Sequence, residues 1–144
     1  MEIKNYIIRQ ISVFSENKPG RLAAIAKAFR EEKINILAFS IAEADGFGVV
    51  RALVNQPDKA FKKLTSLGYN VAFTDVIAVK MKDEPGGLHE IAELLGEAEI
   101  NMEYAYAYTG KDAAVLIIRV DLVEEAISRI LSRGGSLLES KVFI

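Results

Sequence analysis

The sequence predicts an α+β protein built from two tandem βαββαβ units, each an antiparallel sheet with its helices on one face. Three observations lead there: an internal repeat, apolar stripes at helical spacing, and turn residues between short β-rich runs. Asn17-Lys18-Pro19-Gly20-Arg21-Leu22 is echoed by Asp83-Glu84-Pro85-Gly86-Gly87-Leu88, a displacement of 86 − 20 = 66 positions. The same displacement carries Ile34-Asn35-Ile36 onto Ile100-Asn101-Met102, Val49 onto Val115, Val54 onto Val120 and Gly68 onto Gly134. Matches in one order along a whole unit mark a tandem duplication. The units are expected at residues 5–74 and 75–144.

Each element follows from local chemistry. Tyr6 to Phe14 is rich in β-branched and aromatic residues and reads as a strand. Pro19 suits the first turn of a helix, where its missing N–H costs nothing. Leu22, Ile25, Ala26 and Phe29 then form one apolar helical stripe, repeated by Leu88, Ile91, Ala92 and Leu95. Asn35 to Ala42 and Phe47 to Val54 read as two strands joined by the turn Ala44-Asp45-Gly46. Pro57 and Asp58 open a second helix, whose Phe61 and Leu64 correspond to Ile127 and Ile130. Gly68 and Gly134 stand where a helix end takes a left-handed residue. Asn70 to Phe73 and Ser136 to Phe143 supply the last strands. This order of elements is the split βαβ, or ferredoxin-like, arrangement. Phe73-Thr74-Asp75-Val76-Ile77 contains no glycine, proline or serine, so the units are expected to join directly rather than through a loose tether.

Composition narrows the function. Apolar residues make up 51% and charged residues 26% of the 144, a globular balance. Eighteen basic against 20 acidic groups leave a net charge of −2, without the basic excess or stripe of a nucleic-acid binder. No basic amphipathic segment suggests a membrane surface, and no run approaches a signal peptide or membrane span. The absence of cysteine excludes disulfides and thiolate metal sites. A cytoplasmic protein is the expectation.

Ser15-Glu16-Asn17-Lys18-Pro19-Gly20-Arg21-Leu22, a helix, and then Lys33-Ile34-Asn35-Ile36 resembles the ACT domain, a regulatory module of many amino-acid-metabolism enzymes. Asp83-Glu84-Pro85-Gly86-Gly87-Leu88 with Ile100-Asn101-Met102 resembles a second one, so the likeness covers roughly residues 5–144. The resemblance implies a ligand site between adjacent modules, lined by the loop before the first helix and the start of the second strand. Asn17 matches a loop asparagine that contacts the bound amino acid in serine-sensing members. Asn35 matches a strand asparagine reaching over from the neighbouring module. Asp83 stands where Asn17 does and departs from that pattern. With no catalytic domain expected in the chain, the resemblance implies a stand-alone sensor or regulatory subunit.

The residues themselves make the same sense. Glycine at a helix start admits close backbone approach, and the free N–H groups and positive dipole end suit a carboxylate. An asparagine amide both donates and accepts. The candidate ligand-binding residues are therefore Asn17, Lys18, Pro19, Gly20, Arg21, Leu22, Asn35 and Ile36, with Asp83, Gly86, Gly87, Leu88, Asn101 and Met102 in the second copy. Gly20 or Gly86, Asn17 or Asp83, and Asn35 or Asn101 are expected within local reach of one another. Purely local roles compete: Asn17 and Asp83 suit an N-cap or turn, and Asn35 and Asn101 suit a side-chain bond to backbone at a strand start.

No catalytic set can be assembled. His89, the single histidine, lies off the apolar stripe and has Ala23 as its counterpart, so it is read as a solvent-facing helix residue. No nucleophile elbow, phosphate loop, dinucleotide fingerprint or calcium loop occurs, so neither cofactor nor metal is expected. Tyr104, Tyr106 and Tyr108 alternate along one strand and face one side, where the first copy has Ala38, Ser40 and Ala42. They suit either core packing or an interface. Ala113 to Ile118 is apolar throughout, as expected of a strand covered on both faces, and favours a homodimer or larger oligomer. The expected function is binding of a small molecule, most simply an amino acid. The competing reading is a ligand-free interaction subunit of a separate enzyme.

Overall fold

Each helix of the first half recurs in the second at the repeat displacement. The computed structural model, which describes residues 2–109 and 113–144, places α1 at Arg21–Glu31 and α2 at Pro57–Ser66, then α3 at Gly87–Glu97 and α4 at Val123–Ser132. Both ends of each pair differ by 66 positions (87 − 21, 97 − 31, 123 − 57, 132 − 66). The strands are β1 Ile8–Glu16, β2 Ile36–Ala44, β3 Phe47–Val54, β4 Asn70–Met81, β5 Met102–Thr109 and β6 Ala114–Val120.

The strand register repeats as well. β3 pairs antiparallel with β1 and β2, and β6 pairs antiparallel with β4 and β5. Ile11 faces Ala52 and Val13 faces Val50; 66 positions on, Ile77 faces Ile118 and Val79 faces Leu116. Even the irregularity at Ile36/Ala38 returns at Met102/Tyr104. The β2–β3 hairpin closes through Asp45 (φ 52°) and Gly46 (φ 82°). Two successive positive φ values are the type I′ turn, whose twist matches that of the flanking strands.

The chain forms two compact units, one of residues 9–74 with 143–144, the other of residues 75–142 with the chain through Ile8. They are called here the N-terminal and C-terminal units. The N-terminal core packs Ile11, Val13, Ala52 and Val54 of the sheet against Ile25, Phe29, Ala60 and Leu64 of α1 and α2. Tyr69, Val71 and Phe73 close its flank. Phe73 stacks on Phe61 at 4.8 Å and carries the Arg9 guanidinium over its ring at 4.6 Å. Arg9 also meets Asp58 at 3.1 Å, which holds that exposed carboxyl below its usual range. The opposite sheet face buries Gln10 and Ser12, satisfied by Gln10 Nε2 donating to Ser12 Oγ and by a Ser12–Thr74 hydroxyl bond. The C-terminal core sets Ile77, Val79, Leu116, Ile118 and Val120 against Leu95, Ala126, Ile127 and Ile130.

Two strand expectations need correction. The first strand begins at Ile8, not Tyr6, because Ile3–Tyr6 forms a 3₁₀ turn. Ile3, Tyr6 and Ile7 recur at helical spacing and pack on the C-terminal core. Ser136 to Phe143 does not form a strand. It contributes one bridge, Leu137 to Val79, with Lys80 N–H donating to Ser136 O and Leu138 N–H to Ala78 O. Glu139-Ser140-Lys141 are weak strand formers, and Ser140–Phe143 turns as a 3₁₀ helix. Phe73 to Ile77 lie within β4.

Burial at these positions sets a stability contrast. Ile127→Ala, at a side chain 0% exposed, is expected to cost about 2–5 kcal/mol in guanidinium unfolding. Val142→Ala, at a side chain 60% exposed, should stay within about 0.5 kcal/mol.

Candidate functional site

The loop before α1 sits at the hairpin end of its sheet, because Glu16 at the close of β1 faces Phe47 at the opening of β3. Asn17 N–H donates to Gly46 O at 2.8 Å, and a side chain at Gly48 would press on Asn17 Cβ. Gly20 (φ 90°) and Gly86 (φ 93°) are the N-caps of α1 and α3, both left-handed, and no side chain caps either helix. Asn17 and Asp83 therefore do not act as N-caps. Pro19 and Pro85 precede the helices rather than opening them. Arg21 N–H turns back to Lys18 O, and Gly87 N–H to Glu84 O, both at 3.1 Å. The amides of Leu22 and Ala23, and of Leu88 and His89, have no acceptor within their own helix.

The two loops differ in charge. Glu16, Asn17, Lys18 and Arg21 sum to −1 + 0 + 1 + 1 = +1, while their counterparts Lys82, Asp83, Glu84 and Gly87 sum to +1 − 1 − 1 + 0 = −1. Lys18 lies 2.7 Å from Glu16; its hydrogen bond and charge, with help from Arg21, hold that carboxyl below the usual range. The second loop is also tighter. A Cβ at Gly87 would collide with the Lys82 carbonyl, a place the first loop gives to Arg21.

Asn35 and Asn101 lie just ahead of β2 and β5. Their backbones are held from outside: Asn35 N–H donates to Asn55 Oδ1 at 2.9 Å and Asn101 N–H to Asp121 Oδ1 at 3.0 Å. The return bonds run from Asn55 N–H to Asn35 O and from Asp121 N–H to Asn101 O. The side-chain-to-backbone bond belongs to Asn55 and Asp121, a pair missed at first although the repeat displacement relates them. Asn35 stands at the start of nine-residue β2 and Asn17 beyond its end, beside the hairpin. At about 3.3 Å per residue, roughly 30 Å of strand separates them. Within one unit, then, the expected local reach between the two asparagines does not exist.

Leu22 and Ile36 do come together. They line one cavity of about 100 Å³ in the seam between α1 and β2. Ile25, Ala26 and Phe29 extend its helix wall; Phe39 of β2 and Val50 and Ala52 of β3 form the sheet wall. Phe39 and Leu22 are 50% and 37% exposed, so the cavity opens at their edge. The apolar stripe of α1 signalled a core, and Phe39 carried no signal of its own. In the C-terminal unit a larger hollow of about 580 Å³ lies along α3. Its rim is self-compensating, with Lys82–Glu90 and Arg133–Glu97 each paired at 3.6 Å. Met102 joins the C-terminal core margin and Leu88 is exposed.

Tyr104, Tyr106 and Tyr108 face Arg119, Ile117 and Val115 on the sheet side away from the helices. All three are half-buried, and burial pushes the Tyr108 phenol up. His89 is solvent-facing and meets Glu93 at 3.0 Å. Among the described residues no three His, Cys, Asp or Glu gather as a metal set, and no helix is long and apolar enough to cross a membrane.

Repeat, fold and loop geometry agree with the sequence family. The chain matches the ACT domain pair over residues 6–143 and belongs to that family. Protein BT0572 from Bacteroides thetaiotaomicron is 32% identical, with 94% of each chain covered and a TM-score of 0.90. The ligand-free regulatory subunit of aspartate kinase from Thermus thermophilus shares the fold at 15% identity, covering 88% of this chain and 92% of that one, with a TM-score of 0.65. The corresponding subunit from Thermus flavus gives 16% identity, 86% and 90% coverage, and a TM-score of 0.60. No curated protein sequence matches.

The loop geometry separates two substitutions. Gly20→Ala meets open space but a left-handed backbone, and is expected to cost about 1–2 kcal/mol in a denaturant melt. Asn17→Ala, with no cap bond to lose, should fall within about 0.5 kcal/mol, where loss of a true cap costs about 1.

Proposed function

We propose that this chain is a non-enzymatic regulatory protein that binds an amino acid through the loop preceding α1. The observation that carries this reading is the uncapped, left-handed start of α1 set in a loop of net positive charge. Amides at a positive helix end suit an α-carboxylate, and the Asn17 amide can meet the carboxylate or the ammonium. Asn17 and Asn35 of one unit stand too far apart to share a ligand. The second asparagine comes from a neighbouring module, as the family resemblance implies. The modules are residues 5–74 and 75–144, and the protein acts in the cytoplasm as a homodimer or larger oligomer. Ligand binding shifts packing between modules because affinity differs between two arrangements. The aspartate kinase subunits that share the fold support a role on a separate amino-acid-metabolism enzyme.

A second reading is favoured by the C-terminal unit. Its loop carries net negative charge, and its tyrosine stripe has no counterpart in the N-terminal unit. In that reading the chain is a ligand-free interaction subunit, with the tyrosines at the partner interface.

A thermal-shift screen of the twenty amino acids tests both. A ligand at a hundred times its dissociation constant stabilises the folded state by about 2.7 kcal/mol, a rise of several degrees. The expected hit disappears in Asn17→Ala and weakens in Asn17→Asp, which brings a like charge to the carboxylate. No rise with any amino acid at millimolar concentration would sink the sensor reading and select the interaction subunit.

A further inference from the structure

We propose that the α1–β2 seam of the N-terminal unit receives the ligand's side chain, and that this side chain is branched and aliphatic, of the valine, leucine or isoleucine class. The inference rests on the amino-acid reading above and narrows it. Volume sets the first limit. The cavity holds about 100 Å³. A cavity that takes benzene measures roughly 150 Å³, and one water occupies about 30 Å³. The enclosed space therefore suits a branched chain of a few carbons better than an aromatic ring.

Chemistry sets the second limit. Leu22, Ile25, Phe29, Ile36, Phe39 and their neighbours on β3 present carbon alone. An amide, hydroxyl or charged group placed there would surrender its water without gaining a hydrogen bond. Position sets the third. Leu22 lies two residues beyond Gly20, so a carboxylate at the start of α1 directs the rest of the ligand past Leu22 and Phe39 into the seam.

The sheet wall differs in the second copy. Val50 and Ala52 correspond to Leu116 and Ile118, which add one and three carbons at the sheet wall. Both are buried in the C-terminal core. Phe39 corresponds to Ala105, which removes the cavity's outer lip. On the helix wall Phe29 gives way to the smaller Leu95, so the second copy is bulkier at the sheet wall alone. The copy with the smaller sheet-wall residues is also the copy with the positively charged loop.

Calorimetric titration of L-alanine, L-valine, L-leucine, L-isoleucine, L-phenylalanine and L-lysine tests the inference, on the wild type and on Ala52→Ile, Val50→Leu and Phe39→Ala. One branched-chain amino acid is expected to bind at least about 10-fold more tightly than L-alanine, the usual worth of added methylenes in an apolar pocket. L-Phenylalanine and L-lysine bind worst. Ala52→Ile should remove that preference, so that no branched-chain amino acid binds more tightly than L-alanine. Val50→Leu gives the same result in smaller measure and decides the matter if Ala52→Ile does not fold. Phe39→Ala, at a half-exposed position, should admit L-phenylalanine. If an aromatic, polar or charged amino acid binds best, is lost in Asn17→Ala and ignores Ala52→Ile, the inference falls and the amino-acid reading stands. If no amino acid binds any variant, both fall. If Ala52→Ile breaks an oligomer while leaving ligand affinity intact, the seam belongs to a second copy of the chain and the inference is overturned.

Discussion

The register between β1 and β3, and its copy between β4 and β6, is the constraint on which each unit depends. Side chains alternate faces along a strand, so a slip of one residue would exchange the two faces entirely. In the N-terminal unit it would push Gln10 and Ser12 under the helices and turn Ile11 and Val13 away from them. The observed register keeps Ile11 opposite Ala52 and Val13 opposite Val50, all facing α1 and α2. The polar pair stays on the other face, where Gln10, Ser12 and Thr74 satisfy one another. The type I′ hairpin at Asp45-Gly46 holds β2 in step with β3. It also anchors the helix-start loop through the Asn17–Gly46 bond. Strand pairing thereby positions both the loop and the seam.

Duplication supplied two copies of one frame, and substitution made them unlike. Helix ends, strand register, the bulge and the left-handed glycine pairs Gly20/Gly86 and Gly68/Gly134 recur at the same displacement. Against that constancy, the loop charge reverses and the second loop contracts around Gly87. The sheet wall beneath the α-helices gains bulk at Leu116 and Ile118. These changes leave backbone geometry intact, since they alter charge and volume at positions whose conformation the frame already specifies. The N-terminal unit retains an apolar opening at the α1–β2 seam, and the C-terminal unit a hollow along α3 rimmed by paired charges.

Much of this was legible in the residues alone. A repeat of 66 positions, proline before and glycine after the helices, and period-3.6 stripes were enough to determine two copies of one βαββαβ plan. They determined the hairpin turn as well, because those signals are local and each residue type answers a local backbone demand. The failures were at the ends of the chain. Ile3, Tyr6 and Ile7 belong to the core of the distant half, and Ser136 to Phe143 pairs only at Leu137. Both outcomes depend on neighbours remote in sequence.

The candidate site divides in the same way. The sequence by itself determined which residues surround the helix starts and that the two loops carry opposite charge. Only the tertiary structure decided that Asn17 and Asn35 of one unit lie at opposite ends of β2. It alone brought Leu22 together with Ile36, Phe39 and Ala52, and gave Asn55 and Asp121 their task. Those relations come from strand direction and from helix packing across the sheet, which no stretch of adjacent residues encodes.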